Sequence, residues 1–284
     1  MQWEQERGVP SRRGFLQVAG GAMAAASLGW PSGVAAAERF GEWPIGIQTY
    51  SLRKFSVSDA LRHVQGLGVH NVELFNAHLA LDASDEQIQQ MLQTLRTANI
   101  QLRAHGVNDF TADHAKNRRV FEFAKRAGIR NITANPQPDS FDSLDQLVAE
   151  YDIRICIHNH GPGALYDKLT DVTTALRGHH RNLGACIDTG HTLRSNEDPV
   201  EWVKELGPRV FALHIKDVAE KQKQTHDVII GQSFLDLVGL FKALKRIGFP
   251  ADGAISLEYE SSPDNPIDDI KQCLAAAEQA IRQA

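Results

Sequence analysis

From Ile45 onward, short aliphatic runs and longer amphipathic stretches alternate eight times. The runs fall at 45–50, 71–75, 101–105, 131–135, 153–158, 183–188, 210–216 and 254–259. Between them, 57–67, 85–98, 112–127, 141–150, 166–176, 199–206 and 234–247 carry apolar residues at helical spacing, and 267–283 closes the chain. Gly68, Asn99, Gly128 and Gly248 punctuate returns from helix to strand. Eight strand–helix pairs predict an α/β protein, a (β/α)8 TIM barrel over 38–284. An open doubly wound sheet would share the alternation, but no Gly-x-Gly-x-x-Gly turn follows the first strand.

The strands have a parity that suits a closed barrel, because successive side chains point to opposite faces. One parity is aliphatic: Ile45 and Ile47, Val72 and Leu74, Ile155 and Ile157, Leu213 and Ile215, Ile255 and Leu257. That face is expected against the outer helices. The other is small or polar: Gly46, Gln48 and Tyr50; Glu73; Arg103 and His105; Cys156 and His158; Cys186 and Asp188; His214 and Lys216; Ser256 and Glu258. That set is expected inside, with Arg103 deep enough to pair with Glu73. Most of its ionisable members lie at the C-terminal strand ends, where barrels of this kind form their sites.

Residues 1–37 read differently. Ser11-Arg12-Arg13-Gly14-Phe15-Leu16 is a twin-arginine pattern, followed by a weakly apolar Gly/Ala-rich run and small-x-small cleavage sites near Ala36 or Ala37. The expectation is a cleavable Tat signal peptide, a periplasmic or secreted product, and no membrane attachment once it is cut. The formal charge of -5 leaves no basic footprint for nucleic acid. Cys156, Cys186 and Cys273 offer neither a disulfide framework nor a Cys-x-x-Cys metal spacing.

Four consecutive strands end in His158, Asp188, His214 and Glu258. Two imidazoles and two carboxylates at matching depth form an N₂O₂ set suited to one divalent ion, Mn²⁺, Co²⁺, Zn²⁺ or Fe²⁺, rather than to Ca²⁺. The competing reading is a hydrogen-bonded polar network. Burying two carboxylates without a cation is costly, which favours the metal. Around the ring, His191 follows Asp188 by one helical turn and can reach metal or substrate. Lys216 either steadies an oxyanion or pairs with Asp217. His160, Tyr50, Glu73 and His105 are candidates for substrate contact, with Glu73 and His105 on the far side of the ring.

The segments "GIQTYSLR", "VELF", "IHNHG", "CIDTGH", "LHIKD" and "SLEYE" resemble the xylose isomerase-like TIM-barrel superfamily, which includes sugar phosphate isomerases/epimerases, inosose dehydratase and endonuclease IV. The resemblance runs from Ile45 to Ala284. It implies a divalent-ion site at His158, Asp188, His214 and Glu258, and a substrate or second-metal contact at His191. Where relatives read Glu-Asn-His, this chain reads His158-Asn159-His160. Losing that carboxylate removes one of the two bases of epimerisation but leaves chemistry that needs a single base.

The expectation is therefore a metal-dependent sugar or keto-sugar isomerase/epimerase, or alternatively a lyase or dehydratase on keto-sugars or 3-keto-glycosides. Glu258, Lys216 and His191 are its catalytic candidates. An endonuclease IV-like nuclease and a non-catalytic sugar-binding protein are the further alternatives.

Overall fold

Eight parallel strands close on themselves in the computed structural model, which describes residues 39–284. The signal peptide expected over 1–37 lies outside the described residues. The strands are β1 (Ile45–Gln48), β2 (Asn71–Leu74), β3 (Gln101–Phe110), β4 (Asn131–Pro136), β5 (Arg154–His158), β6 (Leu183–Asp188), β7 (Val210–Ile215) and β8 (Ala254–Leu257). Each pairs with its sequence neighbours, and β8 returns to β1 through Ile45↔Ile255 and Ile47↔Leu257. A two-residue antiparallel ribbon, Asp217–Val218 with Asp227–Val228, sits beyond the end of β7.

The helices are α1 (Val57–Gly66), α2 (Asp85–Thr97), α3 (His114–Ala127), α4 (Phe141–Tyr151), α5 (Leu169–Leu176), α6 (Thr189–Arg194), α7 (Pro199–Leu206), α8 (Leu237–Ile247) and α9 (Ile267–Gln283). Their ends are set by local chemistry. Ser84 caps α2 in a reciprocal capping box with Gln87. Gly128 and Gly248 terminate α3 and α8 in the left-handed region, where a side chain would be strained. Among the described residues no helix is long and apolar enough to cross a membrane.

The aliphatic parity packs outward: Ile47, Leu74, Ile155, Ile187, Leu213 and Ile255 are buried between sheet and helices. Inside, a smaller cluster of Ala104, Cys156, Cys186, Phe211, Ala212 and Ala254 fills the barrel below its mouth. The two cysteines are fillers there, and all three cysteines are free.

Strand β3 departs from the expected parity. Val72 pairs with Leu102 but Glu73 pairs with Ala104, so β3 carries an extra residue at Arg103. Ala104 therefore takes the inward place at the level of Glu73, and His105 aligns with outward Leu74 and Ile132. Arg103 does not meet Glu73. Its Nε donates to Asn71 Oδ1 at 2.7 Å, part of a polar plug at the closed end that includes the Arg154–Asp252 ion pair at 2.7 Å.

Candidate active site

The C-terminal ends of β5, β6, β7 and β8 bring His158, Asp188, His214 and Glu258 together, with one ligand atom from each lying within 4.8 Å of the others. Register explains the convergence. His158 lies opposite Cys186, one step below Asp188, and Asp188 lies opposite His214. Glu258 follows the last residue of β8, its backbone N–H held by the carbonyl of Ile215. Asp188 and His214 are fully enclosed, whereas His158 and Glu258 also line a cavity of about 410 Å³. That volume suits a small ligand.

Hydrogen bonds orient the ring. His214 Nε2 lies 2.9 Å from a Glu73 carboxylate oxygen, so it carries the proton and leaves Nδ1 toward the cluster. Nδ1 of His214 is 2.9 Å from His158 Nε2 and 3.0 Å from Glu258 Oε2. Asn159 holds Asp188 through both backbone groups, accepting from its N–H at 2.8 Å and donating to its carbonyl at 3.1 Å. Asp188 Oδ1 accepts the His191 N–H at 2.7 Å. Asp188 Oδ2 is buried without a hydrogen bond, although Lys216 Nζ stands 3.2 Å away. A buried carboxylate oxygen left open beside two imidazole nitrogens and a second carboxylate is a donor set that fits a divalent transition cation.

The charges are poised by burial and proximity. Burial pushes the Asp188 carboxyl upward, but its surroundings, with the Lys216 ammonium 3.2 Å away, outweigh it and hold it well below the usual range. Burial also opposes ionisation of Glu258, and Lys216 and His214 again win, keeping it low. Lys216 is 4% exposed, yet Asp188, Glu258 and Glu260 more than offset its desolvation and raise its pKa. Its Nζ lies 2.8 Å from Glu258 Oε2 and also bonds Glu260. Burial depresses His160 to about 4 and His191 to about 3, so both rings are neutral at ordinary pH.

The other expected contacts divide. Tyr50, in a 3₁₀ turn after β1, and His160 line the cavity with Lys216 and His191, and Tyr50 stacks edge-on against Phe75 at 5.5 Å. Glu73 does not reach the cavity. It lies beneath, accepting from Thr133 at 2.6 Å and Ser256 at 2.8 Å as well as from His214. His105 is not at the mouth either, because the extra residue in β3 turns it outward. There its Nε2 meets the carbonyl of Leu79 at 2.9 Å and its ring packs 4.9 Å from Phe123. Lys216 does not pair with Asp217, whose carboxylate is consumed by backbone N–H groups of the following loop.

Glu260 and Arg194 also line the cavity and were not singled out from sequence, whereas Gln48, expected to face inward, lines it too. Glu260 keeps the parity of Glu258 two residues on, which is a readable signal. Arg194 carried none.

Residues 61–280 match the family described as xylose isomerase-like TIM barrel. Among curated proteins, an inosose dehydratase of Clostridium botulinum (strain Eklund 17B / Type B) is 31% identical over 125 residues, covering 41% of this chain and 38% of that protein. An inosose dehydratase of Bacillus thuringiensis is 28% identical over 131 residues, covering 44% and 40%. The matched part is thus well under half the length of these relatives. A solved structure of an uncharacterized Parabacteroides distasonis protein superposes with a TM-score of 0.65 at 27% identity, covering 82% of this chain and 97% of that one. The probable 3-DHS dehydratase AsbF of Bacillus anthracis shares the fold at a TM-score of 0.67 and 17% identity, covering 82% and 98%. The chain belongs to the xylose isomerase-like TIM barrel family.

Proposed function

We propose that this chain is a divalent-cation-dependent enzyme of sugars or keto-sugars that removes a proton next to a carbonyl, with β-elimination as the outcome. One observation carries the reading. Among the described residues, the carboxylates lining the cavity are Glu258 and Glu260, both from the end of β8. Epimerisation by two carboxylates asks for bases on opposite faces of one carbon. Here the acid groups that reach the cavity come from one side, and His158 stands where relatives are expected to carry the second carboxylate.

His158, Asp188, His214 and Glu258 would hold the cation, which when bound supplies Lewis acidity to a substrate carbonyl. Glu258 accepts the α-proton as general base. Lys216, beside it and itself buried, lends positive charge to the oxygen that becomes anionic. Elimination then breaks the bond to a β-oxygen, which leaves as water or an alcohol on taking a proton from the acid form of Glu258 or from Lys216. Tyr50 and Phe75 provide an apolar wall for the ring carbons. The partial matches to inosose dehydratases support elimination. Isomerisation is the second reading, favoured by the neutral rings of His160 and His191, which line the same cavity without a carboxylate's charge. It shares the first proton transfer and differs only in where the proton returns.

Purified protein incubated with keto-sugars, cyclic polyol ketones and 3-keto-glycosides in D₂O and followed by NMR tests this. Elimination predicts loss of water or an aglycone. Isomerisation predicts deuterium uptake with the leaving group retained. Glu258→Gln should lower turnover about 10²–10⁴-fold; undiminished turnover, or a protein that takes up no stoichiometric metal, would end the proposal. Export as a folded chain to the periplasm or beyond belongs to the same reading, resting on Arg12-Arg13. Cell fractionation with both arginines changed to lysine checks it.

A further inference from the structure

We infer that Arg194 is a positioning residue that fixes the tautomer of His191, making that ring a neutral hydrogen-bond donor through Nε2 and closing it to a second metal ion. This rests on the proton-abstracting site proposed above and assigns His191 its part in it.

The argument begins with donor chemistry. Arg194 Nη1 lies 2.9 Å from His191 Nδ1. A guanidinium has only N–H donors, so Nδ1 must present its lone pair. The neutral ring then carries its one proton on Nε2. An imidazolium has no lone pair to offer, so while this bond stands the ring is uncharged.

The guanidinium is held in place. Its Nη2 donates to the backbone carbonyl of Lys223, and it lies against the backbone at Gly161, where an added Cβ would stand 3.1 Å from Cζ. Its Nε is buried without a partner. The two residues are three apart on α6, so they face the same way, and Asp188 accepts the His191 backbone N–H at the start of that turn.

Nε2 is the free end. Among the described residues no hydrogen bond reaches it, and it is not an enclosed atom. His191 and Arg194 both line the cavity. The site therefore offers a substrate oxygen a fixed N–H donor in the cavity that Lys216 also lines, a pairing that suits an oxygen becoming anionic. Ligation of a metal by Nε2 would require the proton to move to Nδ1, facing the Arg194 donor. His191 thus serves the substrate, and the ring of four holds one cation.

Imidazole ¹⁵N NMR of the intact protein tests this without any substrate. The expected spectrum shows His191 with Nδ1 unprotonated and Nε2 protonated. Arg194→Met should give a mixed or reversed tautomer and Arg194→Lys should restore it. Saturating Mn²⁺ or Zn²⁺ should bind at one equivalent in the parent and in His191→Phe. On an active substrate, Arg194→Met should cost about tenfold to a hundredfold in kcat with the loss partly recovered in Arg194→Lys. A protonated Nδ1 in the parent, an unchanged tautomer in Arg194→Met, or a second equivalent of metal lost with His191→Phe would each overturn the assignment. Because the tautomer and the metal count are read without turnover, they stand or fall separately from the proposed reaction.

Discussion

The Glu73 carboxylate accepts a hydrogen bond from His214 Nε2 at 2.9 Å, and neither side chain has any contact with solvent. One carboxylate thus sets the tautomer of an imidazole whose other nitrogen faces the cluster.

Glu73→Gln follows as the first prediction. The amide keeps the shape but removes the negative charge, and it can present an N–H donor toward His214, so the imidazole is less firmly held. Cation affinity should fall about tenfold to a hundredfold. Calorimetric titration with Mn²⁺ or Zn²⁺ measures it, and an affinity equal to the parent's would show that Glu73 does not tune the ring.

That His105 leaves the barrel interior was not readable from strand-end parity, and the reason is local. Strand-end parity assumes an uninterrupted period of two, which holds along β5 and β6 and, above an extra residue at Phe211, over the Ala212–His214 end of β7, and so correctly groups His158, Asp188 and His214. In β3 the extra residue at Arg103 breaks the period, and His105 is turned to the helix side. Gly106 was the available signal. A Cβ there would stand 2.5 Å from the carbonyl oxygen of Thr133, and a glycine inside a strand marks a bulge or a close approach. The eight-fold alternation was legible because it repeats. Arg194 was not, because one arginine on a six-residue helix has no pattern to betray which ring it addresses.

A second prediction concerns Asp217, which is fully buried. Its Oδ1 accepts from the N–H groups of Val218, Phe234 and Leu235 at 2.9, 3.0 and 3.3 Å. Its Oδ2 accepts from Gly231 and Ser233 at 3.0 and 3.1 Å. An asparagine can accept on one side only, so Asp217→Asn leaves at least two of these N–H donors facing an NH₂ group. The expected loss is about 2–4 kcal/mol, read as a lower urea midpoint. A midpoint unchanged from the parent would mean the loop is not pinned by this carboxylate.

Asp227 gives the pH dependence. Burial lifts its carboxyl from 3.8 to about 6, against the opposing pull of Lys216 and of the Glu260 N–H that it accepts at 2.6 Å. A carboxyl with a raised folded pKa binds its proton more tightly when folded. Its stabilising contribution is present below about 4 and is lost as pH rises through about 6. The parent should therefore lose of order 1–2 kcal/mol between about pH 4 and about pH 7 from this group, allowing for screening at the partly exposed ribbon. Asp227→Asn should flatten that slope, and equal slopes in parallel urea melts would contradict the assignment.

The last prediction turns on His158, the position where a carboxylate is expected in relatives. Its Nε2 stands 3.4 Å from Asp188 Oδ2, and its Nδ1 is buried without a partner. His158→Glu would bring a third carboxylate against Asp188 and Glu258 in an enclosed space. Without a cation, like charges there repel and resist desolvation, so the variant in chelator should be less stable by about 2–4 kcal/mol. With a cation the sign changes, because a third anionic donor strengthens the grip and a ligand that binds only the folded chain stabilises it in proportion to RT ln(1 + [L]/Kd). The rise in Tm on adding Mn²⁺ should consequently be larger in His158→Glu than in the parent. The two halves check each other: a destabilised variant that Mn²⁺ fails to rescue would mean these four side chains form a polar network and do not enclose an ion.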